Sequence, residues 1–329
     1  MKESKNKIKV DFERTSLKER LKGKYLNLNF LTTTIFKIFR FVLLIGISYV
    51  ILFPFFAKIS GSFMSPEDFL DVTVKLIPKY PTLDTYKAII AENQYFTAFF
   101  NTLALSLMCA IIQTFICCVV GYGLAKFKFK GNKLIFFLVI FTMVVPHRTL
   151  QLSMFMKFRY FDIYGIIEMI TGQSVNLINT YWPLALLSLG GLAFKNGLYI
   201  FMMRQFFRGV PDELEESAYI DGSGTFRTFL TIILPLSIPM MITIFLFSFS
   251  WQWTDNFYTT AFFTQTKTVL MPNIVAVPGS LSADSTAVGM YTSAITNTCA
   301  LLILLPLVVM YVFLQRYLIG GIERSGIVG

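Results

Sequence analysis

The chain has 329 residues, of which 55% are hydrophobic and 15% charged, and 35 of them are Phe. A water-soluble domain of this length cannot hide so much apolar surface, which excludes a soluble enzyme with an unusually large core. The formal net charge of +10 could suggest nucleic-acid binding, but the basic residues track the ends of apolar runs, so a lipid membrane is expected as partner and no nucleic acid.

Residues 1–34 are a basic extension, and eleven of the 29 Lys and Arg fall within residues 1–40. They read as a topology anchor that also touches anionic lipid. The first apolar run begins only near residue 35 and lacks a small-residue cleavage site, so it is expected to stay as the first helix rather than leave as a signal peptide. This run, Ile38 to Phe56, is the first of six. The others are Phe99 to Leu124, Leu134 to Phe155, Trp182 to Met203, Leu234 to Phe249 and Ser293 to Tyr317. Each approaches the roughly 20 residues that a helix needs to cross a bilayer, and transmembrane strands would show shorter, alternating segments. The expected fold class is therefore all-α, a polytopic membrane helical bundle with six transmembrane helices. Residues 35–95 are assigned to the first helix and an extracytoplasmic loop, 96–320 to a core of five helices, and 321–329 to a tail.

Lys126, Lys128, Lys130 and Lys133 follow the second run, Arg204, Arg208 and Arg227 the fourth, and Arg316 and Arg324 the sixth. The three opposite segments together hold seven: Lys58, Lys75, Lys79, Lys87, Lys157, Arg159 and Lys267. By the positive-inside rule both termini are cytoplasmic, in a multi-pass protein of the cell membrane. Cys109, Cys117, Cys118 and Cys299 fall inside the runs, where a thiol acts as a small apolar residue; neither disulfide nor metal is expected.

Two places inside the apolar sequence carry chemistry. In the third run Pro146 is followed by His147 and Arg148. A cation there either snorkels to the outer interface or lines a pathway. After the fifth run come Trp251, Trp253 and Phe257, which read either as an interfacial aromatic belt or as rings that meet a substrate.

The polar interval from Arg204 to about Thr231 lies on the cytoplasmic side by this topology. Pro211 suits a first helical turn, and Asp212, Glu213, Glu215 and Glu216 favour the N-terminal end of a helix dipole. Gly222 and Gly224 break the run before "TFRTFLTIILP" climbs into the next span. Within it, Glu216-Ser217-Ala218 is followed after three residues by Gly222, after nine more by Ile232, and then by Leu234-Pro235. This spacing resembles the EAA loop of ABC importer permeases, with Ser217 in place of the first alanine. "PTLDTYKAII", "FFNTLALSL", "GYGLAKFKFKG", "NTYWPL" and "MRQFFRGVPDELEESAYIDG" are similar to carbohydrate-type permeases related to the second permease subunit of the maltose importer. The resemblance covers roughly residues 75–329. The segment from Lys157 to Leu177 is longer than the family pattern.

The resemblance implies a permease subunit that forms a pathway with a second permease, docks a coupling helix on an ATPase dimer and receives a saccharide from an extracytoplasmic solute-binding protein. It implies that Glu216 pairs with a basic group on the ATPase and that small Ser217 and Ala218 allow close approach. Asp221 and Gly222 form the turn, and Ile232, Leu234 and Pro235 open the helix that carries motion inward. It also assigns the loop from Gln252 to about Asp284 to the binding protein and the tail from Gly321 to Gly329 to the ATPases.

One His, no Walker-type loop and no nucleophile–base set leave this chain without catalytic machinery or a bound cofactor; ATP is used by partner subunits. A permease for peptides or amino acids is the near alternative. A secondary transporter would need coupling-ion groups and commonly an internal repeat, and a scaffold would have no use for the spaced loop.

Overall fold

A computed structural model of the chain describes residues 28–265, 268–282 and 288–324. Most of the basic extension and the last five residues of the tail lie outside the described residues, as do 266–267 and 283–287 of the loop assigned to the binding protein. The described residues fall into two compact units, divided after Gly61.

The first unit is the helix α1 (Leu28–Gly61), which bears Pro54 inside and has a mean hydropathy of 2.2 over its most apolar window. It begins ahead of the expected run because Thr32 to Thr34 and Lys37 continue the helix on its N-terminal side.

The second unit starts with two short helices, α2 (Pro66–Leu70) and α3 (Asp84–Glu92). A capping box between Ser65 and Asp68 opens α2. The buried Asp68 carboxylate also accepts from the Lys79 and Tyr80 N–H groups, which ties down the loop between the two helices. The central element is α4 (Tyr95–Lys126), with a buried stripe from Ala98 through Leu105, Cys109 and Gln113 to Tyr122. All four cysteines lie buried in the helix packing.

The third and fourth expected spans are not continuous helices. α5 (Asn132–Val144) and α6 (His147–Arg159) meet at a bend of 101°. Pro146 supplies no N–H, and its ring pushes Val145 out of the helical region to ψ 121. In the fourth run, α8 (Trp182–Leu189) ends at the Gly190-Gly191 pair, and α9 (Asn196–Arg208) begins only after Lys195. Gly191 and Lys195 both take left-handed backbone, which ends one helix and delays the next. Between these elements, the long segment from Lys157 folds into a compact return. Phe161 and Val175 form an antiparallel bridge, α7 (Ile166–Thr171) sits at the tip, and Phe158 anchors the base in the core.

The polar interval gives α10 (Glu213–Ile220) and then α11 (Thr225–Thr228). A π-helical turn over Phe229–Ile233 leads into α12 (Leu234–Trp253). Pro235 accounts for the turn: it has no N–H to give the 231 carbonyl and its ring crowds that carbonyl, so the ladder widens and Leu234 N–H bonds back five residues to Phe229. α13 (Phe257–Phe262), a 3₁₀ turn at Met271–Ile274, α14 (Gly279–Ser282) and α15 (Val288–Arg324) complete the chain. Among the described residues, four unbroken helical stretches are long and apolar enough to cross a membrane, or five if the bent pair α5–α6 is one span. The interrupted α8 and α9 make up the fourth expected run.

α4, α9 and α12 share the main core, where Cys117, Met203, Phe207 and Ile244 are buried. Gly121 makes the closest crossing: a Cβ placed there would stand 2.5 Å from Met203 Cβ, so only glycine permits α4 and α9 to approach this far.

Candidate functional site

The polar interval presents one face outward and one face inward. On α10, Glu216, Ser217, Ile220 and Asp221 are exposed, whereas Glu215 and Ala218 are buried. This corrects the role expected for Ala218. Its small side chain lets α10 lie close on its own bundle, and Ser217 alone keeps a small residue on the open face, its hydroxyl bonded to Leu214 O at 3.1 Å. Glu215 turns in beside the Tyr122 hydroxyl, in a nest made with Phe127, Phe207 and Phe229.

Gly222 closes α10. Its φ of +81° belongs to the left-handed region. The Gly222 N–H donates to Tyr219 O at 3.0 Å and the Ser223 N–H to Ala218 O at 2.9 Å. These two bonds form a Schellman cap, which requires a left-handed residue at this place and explains the fixed glycine of the motif. Beyond it Phe226 is 75% exposed and Ile220, at the end of α10, 86%, so two large apolar side chains stand open in this acidic stretch. Ile232 and Leu234 pack against the main core, while Pro235 sets the π-turn.

Lys126, at the last turn of α4, holds this unit in place. Its side chain is 7% exposed, and its ammonium donates to the Val210 carbonyl at 2.7 Å and to the Asp212 carboxylate at 2.5 Å. The bond and charge of Lys126 hold the Asp212 carboxyl below the usual carboxylate range. Asp212 in turn starts α10 through its carbonyl, which accepts from Glu215 and Glu216 N–H, both at 3.0 Å. Arg204 donates to Leu124 O at 3.3 Å and lies over the Phe136 ring at 3.8 Å, which satisfies the end of α4 from a second side.

The second candidate lies where the two broken runs meet. Val145, Pro146 and His147 from one break and Gly191, Ala193, Phe194 and Lys195 from the other line a cavity of about 610 Å³. Irregular backbone within apolar sequence is tolerated where it borders such a cavity. His147 Nδ1 is 3.0 Å from the Tyr258 hydroxyl, and its ring stands edge-on to Phe194 at 4.9 Å. Phe194 meets Trp251 at 5.3 Å, and Trp251 is half-exposed. The Lys195 ammonium lies over both rings, at 4.8 and 5.0 Å.

Arg148 is exposed and lines a separate hollow with Gln151, Asn256, Phe257 and Thr260. Trp253 departs from both readings expected of it, interfacial belt and substrate contact. It is fully buried, donates from Nε1 to Ile303 O at 3.0 Å and packs on Phe99 and Phe249, so it joins α12 to α15. It lies one position after Gln252 and two after Trp251 on α12, and that rotation turns its ring into the core.

Sequence reasoning missed Phe194, Lys195 and Tyr258. The available signal was "LGGLAFKNG" within an apolar run, where paired glycines and an isolated cation mark a break rather than a span. Gln113 on α4 was also missed; buried, it accepts from Ser248 Oγ at 2.8 Å and donates to Ser188 Oγ at 3.2 Å, a polar tie among α4, α8 and α12. The loop assigned to a binding protein is partly inward: Met271 and Ile274 are buried, and Asn93 Nδ2 donates to the carbonyls of Ile274 and Ala276 at 2.9 and 2.8 Å.

Comparison with known proteins adds to this geometry. The chain is 28% identical over 298 residues to the galactooligosaccharides transport system permease protein GanQ of Bacillus subtilis (strain 168), covering 89% of this chain and 95% of that protein. It is 28% identical to the maltodextrin transport system permease protein MalD of Streptococcus pneumoniae (strain ATCC BAA-255 / R6), covering 87% and 93%. A solved chain from a bacterial ABC transporter involved in the import of the acidic polysaccharide alginate has the same fold, with a TM-score of 0.64 at 19% identity over 87% of this chain and 97% of that one. The family model for the binding-protein-dependent transport system inner membrane component matches residues 118–324, the stretch that holds the capped α10 and both helix breaks, and the chain belongs to that family.

Proposed function

We propose that this chain is the permease subunit of an ATP-driven importer for a sugar or oligosaccharide, and that α10 passes motion from an ATPase to the pathway. The observation that carries the reading is the two-faced α10. Glu216, Ser217, Ile220 and Asp221 face outward, and the inward Glu215 and Ala218, the Gly222 cap and Lys126 fix the helix to the bundle. Exposed Ile220 and Phe226 in an acidic stretch suit a cleft with a greasy floor and basic rim. The short rigid path from Gly222 through the π-turn to α12 would turn a push on α10 into movement of the helix whose Trp251 stands against Phe194 of the cavity wall.

The family and the oligosaccharide permeases among its relatives support the sugar reading. In this reading α1, α4, α5–α6, α8–α9, α11–α12 and α15 make six crossings, with both termini cytoplasmic. A second permease completes the pathway, an ATPase dimer meets α10, and a solute-binding protein delivers the saccharide from outside.

The deciding experiment is reconstitution with partner permease and ATPases in proteoliposomes. Glu216→Lys should abolish ATP-driven uptake and weaken copurification of the ATPase while the chain inserts normally. Uptake at the wild-type rate with Glu216→Lys would remove α10 from the coupling path.

A further inference from the structure

The geometry points to Lys195 as the group that makes the 610 Å³ cavity select saccharides bearing carboxylates, such as uronate units. The inference rests on the importer reading and names the substrate class of that cavity.

Lys195 sits in the break between α8 and α9, inside the fourth apolar run. A cation at such a place is costly unless it faces water or a partner. Among the described residues it has no carboxylate within ion-pair distance. Its ammonium instead rests on the Phe194 and Trp251 rings, contacts that leave its hydrogen-bonding capacity open. Asp255 lies on the adjoining wall, but its carboxylate accepts from the Tyr258 and Thr259 N–H groups at 3.0 Å each.

The backbone adds an independent observation. Lys195 has φ +69°, a conformation that glycine takes without strain and that lysine does not. Residues held this way collect at functional sites, where the side chain is the reason for tolerating the backbone. The half-exposed Trp251 ring beside Lys195 offers an apolar face of the kind that covers a pyranose, and His147, backed by the Tyr258 hydroxyl, brings a hydrogen-bonding ring to the cavity wall. Ring face, hydroxyl partners and one free cation together describe a uronate better than a neutral hexose.

The test is direct binding to the complex of both permeases and ATPases in nanodiscs of zwitterionic lipid, so that no lipid anion competes. The probes are trigalacturonate and galactotriose, equal in length and different in charge, titrated by calorimetry in low salt. The expected result is at least tenfold tighter binding of trigalacturonate to the wild type, abolished by Lys195→Gln and retained by Lys195→Arg. Equal affinities in the wild type, failure of both sugars to bind, or a preference that survives Lys195→Gln would each overturn the inference. ATP-driven uptake of any saccharide by the same complex in proteoliposomes tests the importer reading separately.

Discussion

Lys126→Met removes the ammonium that ties α10 to the end of α4 and leaves the aliphatic stem in place. Two contacts are lost, to the Val210 carbonyl at 2.7 Å and to Asp212. The freed Asp212 carboxylate is solvated and contributes nothing to the figure that follows. A hydrogen bond from a charged donor is worth about 1.5–3 kcal/mol, and the Lys126 side chain, 7% exposed, makes its carbonyl bond away from solvent. A loss of about 2 kcal/mol raises the released population of α10 roughly 30-fold. Amide hydrogen exchange in the assembled complex reads this directly. The Asp221 and Ser223 amides, which donate to Ser217 and Ala218, should exchange roughly 30-fold faster. Amides in the buried middle of α12 should keep their rates, and Lys126→Arg should restore most of the protection. The reasoning is refuted if exchange at Asp221 and Ser223 changes less than about threefold, or if α12 accelerates equally, since that pattern reports general destabilisation rather than release of one helix.

Gly222→Ala meets no atom within 4 Å but must hold φ +81°, so it should destabilise the α10 cap by about 1–2 kcal/mol; partial loss of ATP-driven uptake, with normal insertion, checks this. Gly222→Pro also removes the N–H that bonds Tyr219, and uptake should fall to background. Gly121→Val must push α4 from α9, because Met203 Cβ stands 2.5 Å from the new Cβ; thermal unfolding in detergent should show a loss of at least about 1–3 kcal/mol, the usual cost of overpacking, and an unchanged midpoint would mean the helices are not held at this distance. Single cysteines at Asp84 and Asn273 should react with an impermeant thiol reagent from outside intact cells and one at Ser217 only after the membrane is opened; outside labelling at Ser217 would reverse the assigned topology.

Several features were legible because they depend on local covalent facts. Apolar runs located α1, α4, α12 and α15, since a helix of this length must be greasy to lie in lipid. The fixed interval from Glu216 through Gly222 to Leu234-Pro235 located the capped helix and its exit, because a left-handed cap favours glycine and a proline disturbs the helical ladder on the turn before it. Pro146 falls within one expected span, and the 101° break there became visible only in the structure.

What only the tertiary structure decided concerns direction and neighbours. Ala218 looked like part of a docking face, and which side of α10 lies on the bundle depends on Tyr122, 96 positions earlier in the chain, and on the Lys126 bond. Trp251 and Trp253 are two positions apart with the same chemistry, yet one is half-exposed against Phe194 and the other is sealed against Ile303. Lys195 gained a role only when folding set it over Phe194 and Trp251 and brought His147 from another helix to the same cavity. Sequence spacing sets the angle between residues on one helix, but the face that is buried is set by whichever distant helix packs against it, and one chain position carries no record of that partner.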